Sequence, residues 1–441
     1  MITIYTTKEA QESILRRDKA LEPRVPAAVR ESLNRIFDAD LSPAEAVDRI
    51  LSDVQARGDA ALYEWTERID GVSLGKLAVD PAEISAAPAA IPQELWHAIQ
   101  LAAERVRAFH AMQPVQSWES GVLGGRLGQR VTPLRRVGVY VPGGTAPLPS
   151  SLLMSAIPAQ VAGVDEIIVV TPPGCDGRVP PVTLAAASAV GIEKVYMLGG
   201  AQAIAAMAFG TETIPHVDKI VGPGNLFVTL AKRQVFGIVG IDGLNGPTET
   251  VVIADESADA SWVAADLLAQ AEHDTLATAI LLTPSRPLAE AVQAEVARQM
   301  ESLSRDQVIA AALAGQGGIV ITRDLTEAVG LANDFGPEHL CVATREPRAL
   351  AGSLRNAGGL FFGERSFEVL GDYIAGPSHT MPTGGTARFA SPLNVLDFVR
   401  ITSIIELDSE TIAELAPVAA LLAHAEGLTA HAGAAEMRVA L

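Results

Sequence analysis

Of the eight histidines, His273, His339, His379 and His431 each stand in a polar or glycine-bounded segment late in the chain, while His97, His110, His216 and His424 fall in helical or connecting context suited to surface or core roles. Gln270-Ala-Glu-His273 closes an apolar-periodic stretch beginning near Ser261, and a spacing of three sets both side chains on one helical face. Such a pair can share a metal; a histidine at a helix C-terminus is equally explained by the macrodipole. Gly336-Pro-Glu338-His339-Leu340 sets a carboxylate beside an imidazole just before a strand-like run, at a loop edge expected to bind ligand in a parallel α/β sheet. Adjacent Glu and His can serve two different proton transfers, although a helix stop followed by a surface pair reads the same way. Gly371-Asp372-Tyr373, Gly376-Pro-Ser-His379 and Pro382-Thr-Gly-Gly385 form a glycine-rich loop of a kind that usually carries function. Glu426 and His431 add a carboxylate and an imidazole near the end, on what also reads as a solvated helix face.

The elements that must position these groups follow from periodicity. Val137–Val141, Glu166–Val170, Lys194–Leu198 and Lys219–Val221 are short apolar runs, each followed by Gly or Pro and then a helix-like stretch. Four such units in series imply a parallel sheet with right-handed crossovers. The pattern restarts at Val251–Ala254 and continues through Ala279–Leu282, Gly318–Ile321, Cys341–Ala343 and Leu360–Phe362, which predicts a second sheet of the same kind. The expected fold class is therefore α/β, two doubly wound, mainly parallel sheets of incomplete Rossmann-like type. Residues 1–35 read as an N-terminal arm with a helix, residues 43–112 as mostly helical from starts such as Ser42-Pro43-Ala-Glu45, and residues after Pro392 as a helical tail with too little apolar surface for its own core.

Apolar residues make up 49% of the 441, charged residues 19% and aromatics 5%, a composition suited to buried parallel strands under alanine-rich helices. A net charge of -19 repels phosphate backbones and anionic lipid, which argues against nucleic acid or membrane as partner and for a small molecule. Cys175 and Cys341 lack any paired spacing, so neither a disulfide framework nor a thiolate zinc site is indicated. No run approaches the ~20 apolar residues of a membrane span, and the N-terminus has no signal-peptide core, which predicts a soluble cytoplasmic protein.

For a dinucleotide, the Gly-x-Gly-x-x-Gly fingerprint is missing where it would be needed. In its place Tyr140-Val-Pro-Gly-Gly144, Gly199-Gly-Ala-Gln202 and Gly222-Pro-Gly-Asn225 each follow a predicted strand of the first sheet. Glycine there permits close backbone approach and frees helix N-termini to face phosphate, or makes three ordinary tight turns.

Read in order, Val137-Gly-Val-Tyr-Val-Pro-Gly-Gly144, Gly199-Gly-Ala-Gln-Ala-Ile-Ala205, Phe209-Gly-Thr-Glu-Thr-Ile-Pro215, Val217-Asp-Lys-Ile-Val-Gly-Pro-Gly-Asn225, Gln270-Ala-Glu-His273, Pro337-Glu-His-Leu340, Gly371-Asp-Tyr373 and Pro382-Thr383 resemble the signature of histidinol dehydrogenases over nearly the whole chain. The resemblance implies a zinc-dependent, NAD-linked enzyme that oxidises L-histidinol through L-histidinaldehyde to L-histidine, with Zn2+ held by Gln270, His273, Asp372 and His431. It implies His339 as the base for the alcohol proton and Glu338 as the base that activates water for the aldehyde step. It further implies substrate contacts from Thr248, Gln270, His273, His339, Asp372, His379, Glu426 and His431, and NAD contacts from Tyr140, Gln202 and Asn225. The family's serine is Thr248 here, Ser378 stands where many members have Asn, and Phe367–Leu370 is a less polar lead-in to Gly371. A relative oxidising another alcohol, such as a sulfonated propanediol, is the second implication, and a zinc hydrolase using Glu338 without a redox cofactor the competing class.

The same resemblance implies a division into an arm, 1–35; a zinc and substrate domain, 36–136 plus 248–391; an NAD domain, 137–247; and a tail, 392–441, exchanged between the subunits of a homodimer so that each site is shared.

Overall fold

In a computed structural model describing residues 2–17, 27–143 and 147–439, each apolar run read from the sequence becomes a strand, nine in all, in two parallel sheets. Gly144 of the first glycine turn and residues 18–26 of the arm lie outside the described residues.

The first sheet has five strands in the order Val195–Met197, Glu166–Thr171, Arg136–Tyr140, Lys219–Val221, Gly240–Ile241, all parallel. The chain starts in the middle, winds outward one way and returns to wind out the other, so the strand order reverses between Arg136–Tyr140 and Lys219–Val221. A crevice opens at such a point beyond the carboxyl ends of the strands, which here carry Tyr140 and the Gly222–Asn225 turn. Gly222 is required there: its φ is +112°, and a Cβ would stand 2.2 Å from the Tyr140 carbonyl oxygen.

Helices cover both faces. Pro43–Arg57, Asp59–Asp70, Gly200–Phe209 and Leu226–Val235 bury their apolar stripes on one side, and Gln93–Ala111, Pro149–Ala162 and Pro181–Ala189 on the other. Ser42 and Glu45 close the capping box expected at that helix start. Residues 43–111 therefore pack with 137–247, whereas the division implied by the resemblance joins 36–136 to 248–391. Periodicity shows that these helices bury a face but not which sheet receives it.

The second sheet repeats the winding order with one strand added at its edge: Ile4–Thr6, Gly318–Ile321, Thr278–Thr283, Glu249–Ala254, His339–Ala343, Gly359–Phe362. Ala260–Ala271, Arg286–Met300 and Asp306–Gly315 cover one face, and Thr7–Glu12 with Leu325–Phe335 the other. The arm thus begins with a strand as well as carrying helix.

The tail also differs from the helical expectation at its start. Val399–Glu406 is a strand, antiparallel to Arg126–Pro133, which pairs in turn with Trp118–Ser120. Only then come the helices Ser409–Ala425 and Thr429–Val439, which pack on each other and leave Val418, Leu421, Leu422 and Met437 exposed. No helix among the described residues is long and apolar enough to cross a membrane. Both cysteines are free thiols.

Candidate active site

His339 opens the strand His339–Ala343, directly beside Thr250 of Glu249–Ala254. Glu338 and His339 therefore sit at the amino end of the strand His339–Ala343, beside the amino end of its neighbour Glu249–Ala254. This corrects the expectation of an ordinary ligand edge, since parallel sheets usually bind at their carboxyl ends. The amino edge serves here because the loop 376–391 carries the opposing sheet up to it: Ser151 Oγ, on the first helix after the first sheet's central strand, lies 3.3 Å from His379 Nε2. The Thr229 hydroxyl donates to the Asn245 carbonyl at 2.9 Å, and the Gly246 N–H to the Thr383 hydroxyl at 2.6 Å.

Glu338 is 7% exposed, and its Oε2 accepts from the Thr248 hydroxyl at 2.6 Å and the Glu249 N–H at 3.1 Å. Burial pushes its carboxyl up to about 7, against the neighbouring His339 charge and these two hydrogen bonds, which hold it down. A carboxyl poised near neutrality can exchange protons with a reactant. The His339 Nδ1 lies 3.2 Å from the Glu249 carbonyl, which selects the tautomer with Nδ1 protonated and leaves Nε2 toward Asp372 Oδ1 at 3.4 Å. Burial alone would lower the imidazole, but Glu368, Glu338 and Asp372 around it push it up to about 10. Asp372 is the reciprocal case: burial raises it, and His339 outweighs that and holds it below the usual carboxylate range.

Gln270 is fully buried in the last turn of Ala260–Ala271, with its Oε1 3.5 Å from the Thr248 hydroxyl and its Nε2 without a partner. His273 lies two residues beyond the helix, exposed at the mouth of the site; desolvation lowers its imidazole while the nearby Asp372 charge opposes that. His379 Nδ1 is 2.8 Å from the Asp372 carbonyl oxygen, and burial lowers its imidazole. Thr248, Gln270, His273, Glu338, His339, Asp372 and His379 thus converge. Glu426 and His431 do not: both are exposed, and among the described residues neither bonds to Gln270, His273 or Asp372. No complete metal cage of three or more His, Cys, Asp or Glu forms among the described residues of one chain.

Tyr140, Gln202 and Asn225 line one cleft of about 420 Å³ at the switch point of the first sheet. The Gly200 N–H donates to the Tyr140 hydroxyl at 3.2 Å, and Gly200 has φ +58°. Asn225 caps Leu226–Val235 through the N–H groups of Phe227 and Val228. Gln202 is fully buried and its Oε1 has no partner.

Several supporting residues escaped the sequence reading. Lys232 and Asp242 form a buried ion pair that grips Gly222 from both sides, Lys232 Nζ donating to its carbonyl at 3.0 Å and its N–H donating to Asp242 at 2.7 Å. Arg17 of the arm pairs through two nitrogens with Glu249, which also accepts from the Gly384 N–H at 3.1 Å. Glu368, fully buried, accepts from the Thr250 hydroxyl, and burial pushes its carboxyl up to about 7. The sequence carries no local signal for them: Lys232 is followed by Arg233 and Gln234, and Glu249 is flanked by Thr248 and Thr250.

The profile of the family described as histidinol dehydrogenase matches residues 35–439. The chain is 54% identical over 422 residues to the histidinol dehydrogenase of Deinococcus radiodurans, covering 94% of this chain and 95% of that one. It is 47% identical to that of Dehalococcoides mccartyi over 98% of both. Its fold superposes on the crystal structure of histidinol dehydrogenase from Elizabethkingia anophelis with a TM-score of 0.91 at 34% identity, covering 99% and 98% of the two chains.

Proposed function

The chain belongs to the histidinol dehydrogenase family of oxidoreductases, and we propose that it takes L-histidinol through L-histidinaldehyde to L-histidine with two NAD, in the cytoplasm, at the end of histidine biosynthesis. The observation that carries this reading is the juxtaposition of Glu338 and His339 with the buried Gln270 and the half-buried Asp372 and His379, with Ser151 of the first sheet's helix within reach of His379.

The His339 Nε2 takes the proton of the substrate alcohol as hydride leaves the carbon. Its Nδ1–H, held by the Glu249 carbonyl, keeps Nε2 in the accepting tautomer once the resting proton is gone. Glu338 takes a proton from the water that adds to the aldehyde carbon, and Thr248 and the Glu249 N–H hold that carboxylate in place. The second hydride then leaves the hydrated aldehyde and an acid results. NAD, when bound, supplies the hydride acceptor for both oxidations, and the cleft formed by Tyr140, Gln202 and Asn225 would hold it.

Gln270, His273 and Asp372, with His431 of a partner subunit, would hold the zinc; the unpartnered buried amide end of Gln270 fits a ligand, and an oxygen and nitrogen donor set suits an open zinc. Zinc there supplies an anchor for the substrate's imidazole and amino nitrogens. A homodimer with exchanged tails is supported by the uncovered apolar face of Ser409–Ala425 and by the separation of Glu426 and His431 from their own chain's site. NADH formation from L-histidinol, compared with a panel of diols and amino alcohols, tests the reading. Two NADH per L-histidinol is the expected result; turnover of a diol but not of histidinol would overturn it.

A further inference from the structure

Asp70 lines the dinucleotide cleft, and the chemistry above leaves it without a task. It is the last residue of the helix Asp59–Asp70, where the negative end of the macrodipole disfavours a carboxylate. It is half-buried, and no Lys or Arg is among the described residues that line the cleft. The hydrogen bond it does accept is a long one, 3.5 Å from Gln202 Nε2. Burial accordingly pushes its carboxyl up to about 6. Folding alone gains nothing from such a group, so a hydrogen-bond donor brought by a ligand is its natural partner.

Two further observations say what kind of donor. The fully buried Gln202 beside it has an unpartnered Oε1, which makes a second acceptor in the same wall. Next to these acceptors Leu33, Ile36, Phe37 and Ile50 form an apolar wall of the cleft, suited to a flat heteroaromatic base. Acceptors beside an apolar slot match a nucleoside, whose vicinal hydroxyls donate just below its base. In doubly wound sheets an acid at the end of the neighbouring strand usually takes the ribose hydroxyls. Here that strand, Glu166–Thr171, runs into Pro172-Pro173-Gly174-Cys175, none of them acidic, and the acid that follows, Asp176, accepts from the Arg178 N–H and is not among the described residues that line the cleft.

We propose that Asp70 accepts hydrogen bonds from the adenosine ribose hydroxyls of the dinucleotide, and that its charge excludes a 2′-phosphate, so that the site selects NAD over NADP. The role of a sheet residue is thereby taken by a helix that precedes the sheet in the chain. This rests on the cofactor reading above.

Titration of the full-length protein with NADH and with NADPH, followed by fluorescence and by calorimetry, tests it in wild type, Asp70→Asn and Asp70→Ser. Wild type should bind NADH at least about tenfold more tightly than NADPH. Both variants should lose about tenfold in NADH affinity while NADPH binding holds or improves, and in turnover the loss should appear in KM for NAD rather than in kcat. Thermal melts should show the variants no less stable than wild type, because the replaced carboxylate is unfavourably placed. Variants that melt like wild type and keep its NADH affinity and its NADH to NADPH ratio would overturn the role of Asp70 alone. A wild type that binds neither nucleotide would overturn the cofactor reading, and this inference with it.

Discussion

Glu338→Gln separates the chemistry of Glu338 from its cost to the fold. Burial raises this carboxyl from its ordinary 4.5 to about 7, which at about 1.4 kcal/mol per pH unit costs the ionised form about 3 kcal/mol. Because the folded value lies above the unfolded one, the stability it represents is intact below pH 4.5 and is lost as pH rises through 7. Glutamine stays neutral and keeps an acceptor for the Thr248 hydroxyl and the Glu249 N–H, whose pull on the charged form is already contained in the raised value. The variant should therefore be about 3 kcal/mol more stable than wild type near pH 8.5 and within about 1 kcal/mol of it near pH 5. Denaturant midpoints at both pH values, with metal and nucleotide contents matched, measure the difference. In the same protein the aldehyde half-reaction should fall about 10²- to 10⁴-fold, the usual worth of a general base, and the alcohol half-reaction far less. A stability gap that does not widen with pH would refute the burial argument, and equal losses in both half-reactions would refute the division of labour between Glu338 and His339.

Dialysis against a chelator should abolish turnover and zinc should restore it; full activity in protein shown by elemental analysis to be metal-free would exclude the zinc site. His273→Ala and His431→Ala homodimers should each be inert, yet co-refolded at equal amounts they should recover about a quarter of wild-type activity, since about half the dimers are mixed and each mixed dimer has one intact site. No recovery, with mixed dimers detected by mass spectrometry, would exclude the shared site. Lys232→Met leaves Asp242 buried without its cation and should cost about 3 to 5 kcal/mol, with part recovered in Lys232→Met/Asp242→Asn. A loss under about 1 kcal/mol would show that the pair does not hold the Gly222 turn.

Local chemistry wrote much of this molecule into its sequence. An apolar run of four or five residues bounded by glycine has few other options than a buried strand, so both parallel sheets were legible from patterning. Glu338 beside His339 and Gln270 three residues before His273 were legible as candidate chemistry because they are neighbours along the chain. What depended on distant pairing was not. Val399–Glu406 finds its partner in Arg126–Pro133, the helices Pro43–Arg57 and Asp59–Asp70 choose the first sheet, and Arg17 reaches Glu249. The same holds for the site's environment: the burial that raises Glu338, the three carboxylates around His339 and the placing of both at the amino edge of their sheet. The residue types and their order were the sequence's to decide, because each requires only its neighbours; which edge of the sheet carries the candidate site was decided by tertiary structure, because Glu338 and His339 are buried there by segments distant in the chain, with His379 bridging to Ser151.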